Sequence, residues 1–186
     1  MTRLTTLSES TLSDSSLTAA EAYRLQGKLA PVYLQIANSE HAFNAYLGME
    51  TALKKSTLSL REIEAIKLLV SELNRCDYCL SVHQLKAGAA GLSDAQKLAV
   101  RRGDSRTALL ENLEGDTRLT TIVCVVRQFF TLPGALTDEQ FAELKSVGLS
   151  DAELVDIALV AATIFFTNIF NHLNNTQSTL KPAPAL

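Results

Sequence analysis

The stretch Leu60-Arg-Glu-Ile-Glu-Ala-Ile-Lys-Leu-Leu-Val-Ser-Glu-Leu-Asn74 decides the fold class. Ile63, Ile66, Leu69, Val70 and Leu73 fall on one face at helical spacing, so this is an amphipathic helix and not a strand. The same period runs outward in both directions. Downstream, 79–90 continues as a helix and stops at Gly91, which takes a left-handed C-terminal position without a Cβ penalty. Ser93 starts a short helix to about Arg101, and Asp104 or Ser105 starts another. Residues 119–131 are ambiguous, because Ile122, Val123, Val125 and Val126 would suit a strand. Helix is the better reading, since nothing nearby could pair with a lone strand, and Pro133-Gly134 closes the segment. Thr137 caps 138–147, and Ser150 caps a long helix over 151–171. Upstream, helices are predicted over 19–29, stopped by Pro31, and over 42–54. The pattern is that of an all-α fold. It predicts a single helical domain over 17–175, a flexible N-terminal arm over 1–16 and a loose tail over 176–186.

One sequence echo supports the helix boundaries. Gly91-Leu-Ser-Asp-Ala95 recurs as Gly148-Leu-Ser-Asp-Ala152. Each copy reads as a helix stop followed by a serine N-cap, whose hydroxyl accepts from an orphan N–H of the next first turn.

Composition narrows the function classes. At 186 residues the chain suits one domain with a self-sufficient core. With 47% apolar and 20% charged residues it is not a disordered or fibrous sequence. A net charge of −3 offers no basic field for a phosphate backbone, so nucleic acid is not an expected partner. The longest near-apolar stretch, 157–166, is about half a membrane span and reads as buried helix, so no membrane is expected either. Residues 1–16 are polar and Ser/Thr-rich, with no apolar signal-peptide core. Three cysteines are too few, and odd, for a secreted disulfide scaffold. The expected location is cytoplasmic, where closely spaced cysteines serve chemistry or metal binding.

The residues that carry chemistry are Cys76-Asp-Tyr-Cys79-Leu-Ser-Val-His83. Three residues apart on a helix, Cys76 and Cys79 are neighbours within disulfide range. His83 lies one turn beyond Cys79 and can take a thiol proton or place charge beside a thiolate. Asn74-Arg75 is a plausible break, which puts the pair near a helix N-terminus. There the dipole and Arg75 favour thiolate, the form that attacks peroxides and disulfides. Zinc binding stays open, because C-x-x-C is also ligand spacing. Only Cys124, His41 and His172 remain to complete such a site. Thioredoxin-type exchange expects a βαβ context, and two inert buried cysteines are the plain alternative. Glu62 and Glu64 both fall close to the apolar faces of the preceding helix, where burial would make a carboxyl a better base. Periodicity does not choose between them.

The run from Glu64 through Cys76-Asp-Tyr-Cys79 to His83 resembles the core motif of the AhpD-like alkylhydroperoxidases, within the carboxymuconolactone decarboxylase-like superfamily. That motif is a Glu, eleven residues, then C-x-x-C-x-x-x-H. The segment Phe166-Thr-Asn-Ile-Phe-Asn-His-Leu-Asn174 is similar to members of the peroxidase-related branch. The resemblance implies an AhpD-like helical bundle that assembles as homotrimers or homohexamers. It also implies a cofactor-free thiol peroxidase acting on a hydroperoxide with an external dithiol reductant. In that pattern Cys79 is peroxidatic, Cys76 resolves, and Glu64 with His83 forms the proton relay. Tyr78 stands where the founding member has a histidine, which implies a shorter relay and a slower peroxidase. Two other uses of the site remain: a redox sensor or disulfide carrier, and a decarboxylase-like enzyme. The decarboxylases lack the cysteine pair.

Overall fold

The computed structural model describes residues 2–103, 105–132 and 134–186. Asp104, one of two expected helix starts, and Pro133 of the expected closing turn lie outside them. Among the described residues the chain forms α-helices and no β-strand. In chain order the helices are α1 (Asp14–Ala20), α2 (Pro31–Ile36), α3 (Glu40–Leu53), α4 (Leu60–Leu73), α5 (Asp77–Ala89), α6 (Asp94–Arg102), α7 (Arg106–Asn112), α8 (Thr117–Thr131), α9 (Asp138–Ser146) and α10 (Asp151–Asn174). The ambiguous β-branched run is therefore helical. Leu119, Ile122, Val123, Val125 and Val126 are buried on one side of α8.

Helix α4 is the hub. Ile66, Leu68, Leu69 and Val70 are fully buried, and Glu62, Glu64, Lys67 and Ser71 are buried with them. A helix apolar on one stripe needs one partner, whereas one buried on all sides must be surrounded. Helices α5, α6, α8 and α10 do this. A second apolar cluster, built on Ile36, Phe43, Tyr46 and Leu47, joins α2 to α3. Phe166 and Phe170 of α10 pack on that cluster, while Ile157, Val160 and Ile164 sit in the main core. Helix α10 is long and apolar enough by length and composition to cross a membrane. In this structure its buried stripe faces the bundle core.

Both echoed loops behave as their sequence suggests. Gly91 and Gly148 adopt φ of 95° and 83°, and Ser93 and Ser150 each form a capping box with the residue three positions on. A third box joins Ser59 to Glu62 at the start of α4. Arg118 of α8 donates to both capping carboxylates, Glu62 and Glu153, at 2.6 Å each. It thereby ties the N-termini of α4 and α10 together.

The N-terminal region departs from expectation. No single helix covers 19–29. Helix α1 ends at Ala20, a short 3-10 turn follows, and Gln26 and Gly27 take positive φ. Pro31 does not stop a helix but starts one, because its missing N–H is an orphan donor at the first helical position anyway. Of the first sixteen residues, expected as a flexible arm, the described ones (2–16) are tied to the bundle. The backbone N–H groups of Arg3 and Leu4 donate to Asn174 Oδ1, and Leu7 and Leu12 pack on the second cluster. The tail after α10 has no regular structure but is also held. Ala183 packs on the main core, and Arg101 Nη1 donates to the Pro184 carbonyl at 2.7 Å.

Candidate active site

The break before α5 is sharp. Helix α4 ends at Leu73 with Asn74 as its C-cap, and Arg75 takes a left-handed φ of 54°. Cys76 follows in an extended conformation as the N-cap of α5. Its sulfur accepts the backbone N–H of Cys79 at 3.4 Å, where Ser or Asp usually stands. Cys79 is thus the third residue of the helix, inside the first turn where the dipole favours negative charge. Both thiols are free and both residues are buried.

The two sulfurs are not equivalent. The hydrogen bond that Cys76 gives lowers the Cys79 pKa despite burial, and Asn171, Asn168 and Thr167 of α10 lower it further. The same bond, then burial, pushes the Cys76 thiol up. Asn171 Nδ2 donates to Cys79 Sγ at 3.2 Å. Asn168 Nδ2 donates to Ser71 Oγ, and Asn168 Oδ1 accepts from Asn74 Nδ2 at 3.0 Å, which fixes this face of α10 against α4.

Glu64 and His83 meet across the α4–α5 contact, with His83 Nδ1 2.7 Å from Glu64 Oε2. Burial holds the imidazole pKa below its usual value, with Glu64 opposing. For Glu64 burial pulls the other way, but the hydrogen bond and charge of His83 leave the carboxyl below its ordinary range. Glu64 is therefore a carboxylate that orients the ring, and not the strengthened base that burial alone would give. A neutral His83 donating from Nδ1 keeps Nε2 free to accept a proton. Glu62, equally buried, is occupied otherwise: it accepts from Ser59 N–H at 2.7 Å and from Arg118. The geometry thus separates two carboxylates that periodicity left equivalent.

A cavity of about 540 Å³ opens beside the pair. Arg75, Cys76, Tyr78, Arg101, Asn171 and His172 line one side, and residues of the C-terminal tail line the other. Cys79 does not line the cavity but touches Asn171, which does. Tyr78, at the position of the missing histidine, has its pKa raised by burial and by both cysteines. Among the described residues no group of three or more His, Cys, Asp or Glu side chains is placed to hold a metal ion. Cys124 is on α8 and His41 on α3, neither lining this cavity, while His172 lines its wall and bonds the Asn74 carbonyl.

Sequence reasoning passed over the donors from α10. The signal was there. Ile157, Val160, Ala161 and Ile164 mark the buried stripe of α10, and Thr167, Asn168, Asn171 and Asn174 continue it at the same spacing. A buried stripe that turns from apolar to amide marks a polar function on a face that packing alone would keep apolar.

Residues 38–114, which include Glu64, Cys76, Cys79 and His83, match the carboxymuconolactone decarboxylase family. Comparison with curated proteins finds no match. Solved structures share the fold. A peroxidase-related protein with an alkylhydroperoxidase AhpD core, from Ralstonia eutropha, aligns at 18% identity over 97% of this chain and 92% of its own, with a TM-score of 0.75. The debrominase Bmp8 aligns at 19% identity over 95% of this chain and 92% of its own, with a TM-score of 0.72. A peroxidase-related protein from Silicibacter aligns at 23% identity over 97% and 91%, with a TM-score of 0.68. The family match thus spans the cysteine pair, Glu64 and His83, and the whole chain shares the helical fold of the AhpD core.

Proposed function

We propose that the protein is a thiol-dependent peroxidase that reduces alkyl hydroperoxides through a Cys79/Cys76 dithiol–disulfide cycle. The observation that carries this reading is the asymmetry of the pair. Cys79 sits in the first turn of α5 with donors from Cys76 and Asn171, while Cys76 is held as a thiol beside it. The Cys79 thiolate attacks the terminal oxygen of the hydroperoxide. An S–O bond forms, the O–O bond breaks, and the alkoxide leaves as alcohol on taking a proton. The Cys79 sulfenic acid condenses with the Cys76 thiol to give the disulfide and water. An external dithiol restores both thiols in two exchange steps and is itself oxidised to a disulfide. In this reading Glu64 orients His83 and the neutral ring moves the proton, which their 2.7 Å contact supports. No cofactor takes part, a reducing cytoplasm suits the cycle, and the working unit is a homo-oligomer.

The test is steady-state consumption of tert-butyl hydroperoxide with a dithiol donor, followed by sulfenic-acid labelling of single variants. Cys79→Ser loses turnover and labelling together. Cys76→Ser accumulates a labelled Cys79, because nothing nearby condenses with it. The reverse labelling pattern would exchange the two roles. A protein that forms the disulfide once but does not turn over would be a sensor or carrier.

A further inference from the structure

We propose that Asn171 orients the substrate as well as the sulfur: its Nδ2 arm holds Cys79, and its Oδ1 arm receives the O–H of a terminal hydroperoxide. The proposal rests on the peroxidase reading of the Cys79 site and extends it to which peroxides are accepted.

Three observations carry it. Asn171 Nδ2 lies 3.2 Å from Cys79 Sγ, the reacting atom. Asn171 is 5% exposed, and its Oδ1 has no hydrogen-bond partner among the described residues. Asn171 also lines the cavity that reaches Cys76, although Cys79 does not. A buried carbonyl oxygen without a donor costs about 1–3 kcal/mol and is rarely left so without a reason. The neighbouring amides show the contrast. Asn168 Oδ1 accepts from Asn74, and Asn174 Oδ1 accepts from Arg3 and Leu4. Of these three amides on the same stripe, the one that touches the sulfur keeps its acceptor open.

The chemistry fits a hydroperoxide, R–O–O–H. Its terminal oxygen is the atom the thiolate attacks, and that same oxygen carries the hydrogen. An acceptor on the amide that holds the sulfur can bind that O–H and bring the terminal oxygen to Cys79. When the S–O bond forms and the O–O bond breaks, the hydrogen stays on the transferred oxygen. The sulfenic acid S–O–H that results still donates to Oδ1, while the alkoxide takes its proton elsewhere. A dialkyl peroxide, with no O–H, would leave Oδ1 unsatisfied. Sites built to pair with a hydroxyl discriminate strongly against analogues that lack it.

The test compares two electrophiles on the reduced, full-length protein: tert-butyl hydroperoxide, and iodoacetamide, which reports thiolate without needing the Oδ1 contact. Modification of Cys79 is followed by peptide mass. Asn171→Leu is expected to slow alkylation at neutral pH through loss of the sulfur's donor. It should slow the peroxide reaction by a further factor of roughly five to ten, the scale of one hydrogen bond. At a pH high enough to ionise Cys79 in both proteins, the alkylation rates should converge while the peroxide deficit persists. Asn171→Ser, whose shorter side chain does not reach the sulfur, is expected to repeat the pattern and serves if the leucine variant loses helical structure. Peroxide and alkylation rates that fall in parallel would overturn the Oδ1 role. Unchanged rates for both would overturn the proposal as a whole. A wild-type protein that alkylates normally but ignores the hydroperoxide would instead overturn the peroxidase reading, and the orienting role with it.

Discussion

Glu64 Oε2 and His83 Nδ1 lie 2.7 Å apart although nineteen residues separate them, and both side chains are buried. The contact holds one ring nitrogen as a donor and leaves the other to accept. It also sets the sign of its own pH behaviour. Burial lowers the His83 pKa below 6.5, and the Glu64 charge raises it.

Glu64→Gln removes that charge but keeps an amide of the same shape. The His83 pKa should then fall further, and peroxide consumption should drop by ~10²–10⁴-fold if the pair moves the proton. Glu62→Gln is the control. It should leave the rate near wild type but cost about 1 kcal/mol of stability through the capping box and the Arg118 contact. Stopped-flow oxidation of Cys79 together with urea unfolding separates the two. Matching rates in the two variants would make Glu64 a structural residue.

Acid stability should depend on Glu153. The Ser150 N–H and hydroxyl, with Arg118, depress its pKa from 4.5 to about 2 against the opposing effect of burial. A carboxyl depressed in the folded state stabilises fully above its unfolded pKa, and that contribution fades as pH falls from about 4.5 toward 2. Glu153→Gln should therefore lower stability at pH 7 and flatten the pH dependence of unfolding in that window. Thermal denaturation from pH 7 down to 2.5 checks this. An unchanged slope would mean that Arg118 and Ser150 contribute no net preference for the charged form.

Much of this arrangement was legible in the sequence, where the determinants are local. The face of α4, the break at Asn74-Arg75 and the serine caps before α6 and α10 depend on residues within one or two turns of each other. The N-terminal third was misread because Pro31 is ambiguous by itself: it ends one helix or begins another, and only the tertiary fold decides. Glu62 and Glu64 could not be told apart, since Arg118 and His83, which separate them, come from elsewhere in the chain. Asn171 was invisible for the same reason, as its contact with Cys79 spans 92 residues.

The tail supplies a further prediction. Arg101 is buried, pairs with Glu72 at 2.6 Å and holds the Pro184 carbonyl, so it fastens one wall of the cavity. Arg101→Ala should loosen that wall and expose Cys76. Alkylation of Cys76 by a bulky maleimide should then rise several-fold, whereas a small reagent should gain less. Equal rates for both reagents before and after the change would show that the tail does not limit access.

Assembly is the remaining expectation. Beside its buried stripe, α10 shows solvent a second apolar line: Val155 at 69% exposure, Phe165 at 40%, Ile169 at 51% and Leu173 at 57%. The last three repeat every four residues, so they share one helix face, and large contiguous apolar faces on a monomer usually mark a contact surface. Phe165 also meets Phe130 of α8 edge-on, which widens the line toward a second helix. The occupant we expect is another copy of this chain, in threefold or sixfold assembly. Sedimentation velocity at micromolar concentration should report a trimer or hexamer. Ile169→Glu should dissociate it while helical content is retained, because a buried unpaired carboxylate is costly at a packed interface. The direct bond partners of Cys79 and His83 do not include Ile169. Loss of peroxidase activity on dissociation would therefore mean that the assembly supports the site, whereas full activity in the monomer would make each subunit self-sufficient. A wild-type protein that sediments as a monomer would overturn the assembly claim outright.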